Sequence, residues 1–320
     1  MAEKVGITPQ AVNPVESSAQ EENASLLAAP ELAVSPSAQR PSSPAMPEPQ
    51  PLIRIPLKEV DPDRWLASRF APAVTRGQLE TLYGFVFEVA RTAEAVSEPQ
   101  LGLIRLAWWR EALEQGAGAA DPLARGMRAL IEETPLDPAL LHEMIEARSK
   151  DFMDVPFEGW ADLEHYVDAT AGATVHLALQ ICLAGQAWPK QAAECARAVG
   201  RAWGFTGLVR AEALWRGRRR TFYPRRLLEH LRLTPAKAIE GGAEHVNRQA
   251  NLAMLDRARF AFSQAQDLAR VMPTAAFPAL GYLALEPGYR EPLQLGESKT
   301  NRSLLGRQLT LVKASALGRY

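Results

Sequence analysis

LYGFVFEVARTAEAVSEPQLGLIRLAWWREALE, residues 82–114, carries the reading of the fold. With Leu79 just ahead of it, Leu82, Tyr83, Val86, Val89, Ala90 and Ala93 recur at three- and four-residue spacing. On a 3.6-residue period these positions share one face, so the pattern predicts an amphipathic helix with that face buried. Ser97 to Pro99 breaks the pattern, since proline pushes the residue before it out of helical backbone. Leu103, Leu106, Ala107, Arg110 and Leu113 begin a second helix, and Gly116 and Gly118 are expected to end it.

The same period continues towards the C-terminus. Asp121-Pro122 and Asp137-Pro138 each read as a capping carboxylate followed by proline at the first helical position. DLEHYVDATAGATVHLALQICLAG, from 162, reads as one helix whose small residues at 169, 171, 172 and 173 let another backbone come close. After Trp188-Pro189 a long helix is expected through AAECARAVGRAWGFTGLVRAEALW, another from about 241 to 270, and shorter pieces near 274–285 and 301–317. Runs of strand composition are too short and too few to build a sheet. Long helices joined by short connections imply an all-α, single-domain bundle over residues 52–320.

Residues 1–51 differ in kind. They contain no aromatic residue, and prolines at 41, 44, 47, 49 and 51 are too dense for helix or central strand. Such a segment cannot bury enough apolar surface to offset its ordering entropy, so a disordered tail is expected. The whole chain of 320 residues is 47% apolar and 23% charged with a formal net charge of -1, which argues against a nucleic-acid partner. Two cysteines, Cys182 and Cys195, are too few for a disulfide framework and read as small buried hydrophobes in a reducing compartment. No run of eighteen apolar residues and no secretory leader is present, so the expected location is the cytoplasm, with peripheral contact on the inner membrane left open.

The motifs exclude several chemistries. There is no glycine-rich phosphate loop, HExxH, CxxC or GxSxG, and His142, His165, His176, His230 and His245 show no ligand spacing. Carboxylates that could hold Mg²⁺ on helices are Glu88 with Glu94, Asp151 with Asp154, Glu164 with Asp168, and Glu212. Solvated helix-face charge is the plainer account of them. The run WRGRRRTFYPRR places arginines at 216, 218, 219, 220, 225 and 226 among Trp215, Phe222 and Tyr223. It suits a diphosphate or an anionic membrane surface, or equally a solvated loop after a helix C-terminus.

Four stretches carry a resemblance: 82–114 above, IEARSKDF at 145–152, DLEHYVDATAG at 162–172, and GRAWGFTGLVRAEALWRGRRRTFYP at 200–224. In order and spacing they resemble the squalene/phytoene synthase family over roughly residues 58–315. Within it they look most like a divergent branch that includes a mitochondrial respiratory complex I assembly factor and its bacterial relatives. The resemblance implies an isoprenoid-synthase bundle around a deep central cavity. Active members join two prenyl diphosphates head to head, with two aspartate-rich motifs holding Mg²⁺.

Matched to the first motif, Asp-Asp-x-x-Asp, this chain has Ala90, Arg91 and Glu94. Matched to the second, an Asn and two Asp at four-residue spacing, it has Gly207, Ala211 and Trp215. Only Glu94 keeps a carboxylate, and a Mg²⁺ site needs several hard oxygen ligands in near-octahedral array. The cations left for a diphosphate or other anion are Arg91, Arg210, Arg218 and Arg220. The resemblance therefore implies no catalytic residue, no cofactor, and a non-catalytic role in assembly of respiratory complex I. Complex I subunits or assembly proteins, an isoprenoid or lipid ligand and an anionic membrane surface are the expected partners. The alternative is a Mg²⁺-dependent head-to-head prenyltransferase acting on farnesyl or geranylgeranyl diphosphate.

Overall fold

The structure is a computed structural model that describes residues 56–96, 98–114, 120–240, 244–297 and 303–318. The tail expected over 1–51 and the glycines at 116 and 118 lie outside the described residues. No strand occurs among the described residues, and helices account for most of them. The principal ones are α1 Ala73–Ala90, α2 Pro99–Glu114, α3 Pro122–Glu133, α4 Pro138–Ala147, α5 Trp160–Val167, α6 Ala173–Cys182, α7 Ala192–Arg210, α8 Glu244–Ala269 and α9 Leu304–Leu317.

Local chemistry sets where these begin. Asp121 accepts from the amides of Leu123 and Ala124 at 2.9 Å, and Asp137 accepts from Ala139 at 2.9 Å, each with proline following. These carboxylates satisfy amide donors that have no partner inside the first turn. The 82–114 stretch gives the two expected helices, although the first ends at Ala90, short of the expected Ala93, and Thr92–Ala95 forms a separate turn. The helices α1 and α2 meet at Phe85 and Trp109, whose rings pack edge to face at 5.3 Å. Both are buried, in one apolar cluster that extends through the bundle.

The expected helix from 162 onwards has an interruption the periodicity does not predict. Between α5 and α6, residues Asp168–Gly172 wind as a π-helix, a wider turn often found at functional sites. Against it runs α7, the central helix, which also packs on α6 and α8. Glycine is required where they cross: a Cβ at Gly200 would collide with the backbone of Gly172, and one at Gly204 would lie 2.7 Å from a Val167 methyl. The small residues of 169–173 do admit another backbone. A second break falls at Ala211, after which comes the short helix Glu212–Gly217.

Further along α7, Thr206 donates to Glu286 at 2.7 Å, and Glu286 also accepts from Arg290 at 3.1 Å, tying the helix to the segment that follows α8. Cys182 and Cys195 are both buried, and burial pushes each thiol up to about 12. No helix among the described residues is long and apolar enough to cross a membrane.

Candidate functional site: a central cavity

Between α1, α5, the π-turn and α7 lies a cavity of about 260 Å³. Val86, Phe87 and Ala90 line it from α1; Tyr166, Val167, Thr170 and Ala171 from the π region; Trp203, Gly204, Gly207 and Leu208 from α7. Ala211, Leu214 and Trp215 wall it beyond the end of α7, and Glu94 stands at its exposed mouth. Trp203 is wedged between Tyr282 and Tyr289, edge on to both at 4.9 and 5.8 Å. Trp215 packs on Phe222 at 4.9 Å. These two indoles narrow a space that sits below the roughly 300–1,000 Å³ typical of small-molecule sites.

The positions matched to the two aspartate-rich motifs converge as the resemblance requires. Ala90 and Glu94 face Gly207, Ala211 and Trp215 across the cavity. Arg91 does not join them. It is exposed, its Nε lies 3.3 Å from Glu88, and its guanidinium covers the Phe87 ring.

The other arginines marked for anion binding are placed elsewhere. Arg210 is exposed and stacks on the Tyr289 ring at 4.2 Å, away from the cavity lining. Arg218 donates to the backbone carbonyls of Ala93 at 2.6 Å and Glu94 at 3.2 Å, closing off the short turn Thr92–Ala95. Arg220 donates to the Asp151 carbonyl at 2.6 Å. In the same run, Arg216 lies 3.7 Å from Glu212, Arg219 lies 3.7 Å from Glu240, and Arg225 and Arg226 both lean on Glu158. The four expected arginines thus form no common site, because two of them hold backbone together.

Two arginines that the sequence does not single out do line the cavity. Arg64 donates to Asp61 at 2.7 Å and lies over the rings of Tyr83 and Tyr282 at 5.6 and 5.2 Å. Burial works against its charge, but Asp61 and the tyrosines outweigh that and raise its pKa. Arg148 donates to the Tyr166 hydroxyl at 2.8 Å and the Asp151 carboxylate at 3.3 Å, and Tyr166 donates to Asp151 at 2.6 Å. Burial raises the Asp151 carboxyl above its ordinary range, opposed by Arg148 and Tyr166. The Nε–H of each arginine is buried without an acceptor among the described residues. The signal available in the sequence was slight, a D-x-x-R at 61–64 and an R-x-x-D at 148–151.

The remaining carboxylate candidates are divided between roles. Asp151 is buried in that triad, whereas its partner Asp154 is exposed. Glu164 and Asp168 both engage Arg201, at 3.4 and 2.7 Å, and Glu164 also accepts from Arg257 at 2.7 Å. Glu164, Arg201 and Arg257 belong to an open groove of about 590 Å³ beside Trp160 and Phe260. Among the described residues no group of three or more His, Cys, Asp or Glu could hold a metal ion. In the cavity the carboxylates are Asp61, already bonded to Arg64, and Glu94 at the mouth. That donor set does not fit a Mg²⁺ cluster, which needs several uncommitted oxygens at close range.

Fold and site together define a class. The squalene/phytoene synthase family model matches residues 57–294, and the chain belongs to that family. Its fold is the isoprenoid-synthase bundle. A crystallised dehydrosqualene synthase in complex with ligand matches with a TM-score of 0.65 at 16% identity, over 82% of this chain and 93% of that one. The squalene synthase HpnC from Alicyclobacillus acidocaldarius matches at 0.58 and 20% identity, over 82% and 90%.

Among curated proteins the chain is similar to NADH dehydrogenase (ubiquinone) complex I, assembly factor 6, of Bos taurus. The two are 25% identical over 263 residues, 81% of this chain and 78% of that protein.

Proposed function

We propose that this chain is a non-catalytic member of the squalene/phytoene synthase family that acts in assembly of respiratory complex I. In this reading it binds subunits or assembly proteins of that complex, keeps its cavity for one isoprenoid or lipid chain, and works from the cytoplasm at the inner-membrane surface. The observation that carries it is the make-up of the cavity wall. Ala90, Gly207, Ala211 and Trp215 occupy positions where the family resemblance calls for metal ligands, and they face one another across the cavity. Ionisation of a prenyl diphosphate needs its leaving charge neutralised as it develops, which is the part Mg²⁺ plays. Arg218 and Arg220 are not part of the cavity lining; each donates instead to backbone carbonyls, of Ala93 and Glu94 and of Asp151. The similarity to a complex I assembly factor supplies the biological half of the proposal.

The largely apolar lining, with Val86, Phe87, Val167 and Leu208 among it, suits an isoprenoid or lipid chain. Two experiments test the reading. Purified protein incubated with Mg²⁺ and farnesyl or geranylgeranyl diphosphate should release no diphosphate and form no C30 or C40 hydrocarbon. Deletion of the gene should lower assembled complex I and NADH oxidation in membranes, and restoring the chain should rescue both. Turnover in the first, or normal assembly in the second, overturns the proposal.

A further inference from the structure

The helix α9 lies beyond residue 294, where the family match ends. One face holds it to the bundle: Leu311 and Ala314 are buried, Leu304 packs on the core, and Arg307 donates to the buried Asp63 at 3.0 Å. Those positions repeat at helical spacing, so the residues between them must point elsewhere. Leu305, Leu309 and Val312, at i, i+4 and i+7, form a second apolar stripe on the outward side. They are 63%, 60% and 49% exposed. A helix anchored on one face normally presents polar residues on the other. Here it presents another row of aliphatic side chains to solvent.

The charge that α9 itself carries has one sign. Residues 303–318 contain no Asp or Glu, and Lys313 is exposed beside the stripe. Arg302 and Arg319 flank the helix in sequence. Arg307 is paired with Asp63, so the outward charge of α9 is Lys313. An exposed aliphatic stripe beside cationic charge is the pattern of a helix lying in the plane of an anionic lipid surface.

The arginine run at 216–226 is a weaker candidate for that contact. Arg218 and Arg220 hold backbone, and Arg216, Arg219, Arg225 and Arg226 each have a carboxylate within 4 Å. It also presents little apolar surface, since Trp215, Phe222 and Tyr223 are all buried. We infer that α9 is the membrane-docking element of this protein, with Leu305, Leu309 and Val312 entering the headgroup–acyl boundary of an anionic bilayer. The inference rests on the peripheral-membrane part of the function proposed above and assigns it to a surface.

The test uses the full chain and vesicles of phosphatidylcholine and phosphatidylglycerol in equal amounts, with pure phosphatidylcholine as the neutral control. The wild-type chain should sediment with the anionic vesicles and less with the neutral ones. Leu305→Ser, Leu309→Ser and Val312→Ser combined should weaken partitioning roughly tenfold or more, while Arg216→Ser with Arg219→Ser should leave it near wild type. Far-UV circular dichroism checks that each variant is folded. Independently, Leu309→Cys carrying an environment-sensitive fluorophore should shift to the blue on anionic vesicles.

If the wild type binds no vesicle, the membrane part of the proposed function fails and the inference with it. Wild-type binding that survives the triple substitution, with no blue shift at position 309, keeps membrane contact and overturns the assignment to α9. A label that is already shielded without vesicles, and becomes exposed on dilution or on removal of residues 1–51, also overturns it. In that case a second copy or the chain's own N-terminal segment covers the stripe.

Discussion

The cavity wall and the basic run that follows it use their residues in opposite ways. Along the wall, small or apolar side chains stand at Ala90, Gly207, Ala211 and Trp215. Along the run the residues are mostly arginines, and Arg218 and Arg220 end on carbonyls of Ala93, Glu94 and Asp151. A charged side chain pointing into a cavity answers to a ligand, whereas one ending on a backbone carbonyl answers to the fold. The difference shows that a polar residue's partner, more than its type, says what it does.

Substitutions can break or sharpen that contrast. The largest effect is expected just behind the wall, where Asp151→Ala would leave the buried Arg148 without its carboxylate. Removing one member of a buried pair costs about 3–5 kcal/mol, read as a lower urea midpoint. Arg218→Ala should cost about 1.5–3 kcal/mol, the range for a hydrogen bond to a charged group. Arg219→Ala, exposed one residue along, should stay within about 0.5 kcal/mol. Equal effects at 218 and 219 would remove the distinction between fold-holding and solvated arginines.

Two glycines of α7 sharpen the comparison along a single helix. Gly200→Ala forces a methyl into the Gly172 backbone and should destabilise by about 1–3 kcal/mol. At Gly207, facing the cavity, a Cβ meets nothing within 4 Å. Gly207→Ala should therefore stabilise by about 0.5–1 kcal/mol, because alanine is the better helix former. A loss there would mean that the cavity is not open at this point.

The smallest expected effect concerns the thiols. Burial raises Cys182 and Cys195 to about 12, so both should resist iodoacetamide at neutral pH in the native state. With the folded value above the unfolded one, their contribution is complete below the ordinary thiol value. It declines as pH climbs from there towards about 12. Replacing both by alanine should flatten that part of the alkaline stability loss.

Much of the fold was legible because its determinants are local. Asp121 and Asp137 cap helices two and three residues away, and the apolar period over 79–113 needs no distant partner to be read. The π-turn at 168–172 was not legible, since it differs from α-helix only in winding. In the site, the positions matched through the family resemblance line one cavity. The arginines do not gather there, and their partners are remote, Arg218 lying 125 residues from Ala93 and Arg220 lying 69 from Asp151. Arg64 and Arg148 look in sequence like any charge on a helix, and only tertiary packing turns them inward.

A cavity wall with this donor set is expected to build no divalent-metal site. Binding of Mn²⁺, a spectroscopically visible stand-in for Mg²⁺, measured by electron paramagnetic resonance with inorganic diphosphate present, tests it most directly. The expected spectrum is indistinguishable from that of Mn²⁺ and diphosphate without protein. A saturable change from that spectrum, with more than one Mn²⁺ bound per chain and reversal by added Mg²⁺, would contradict it.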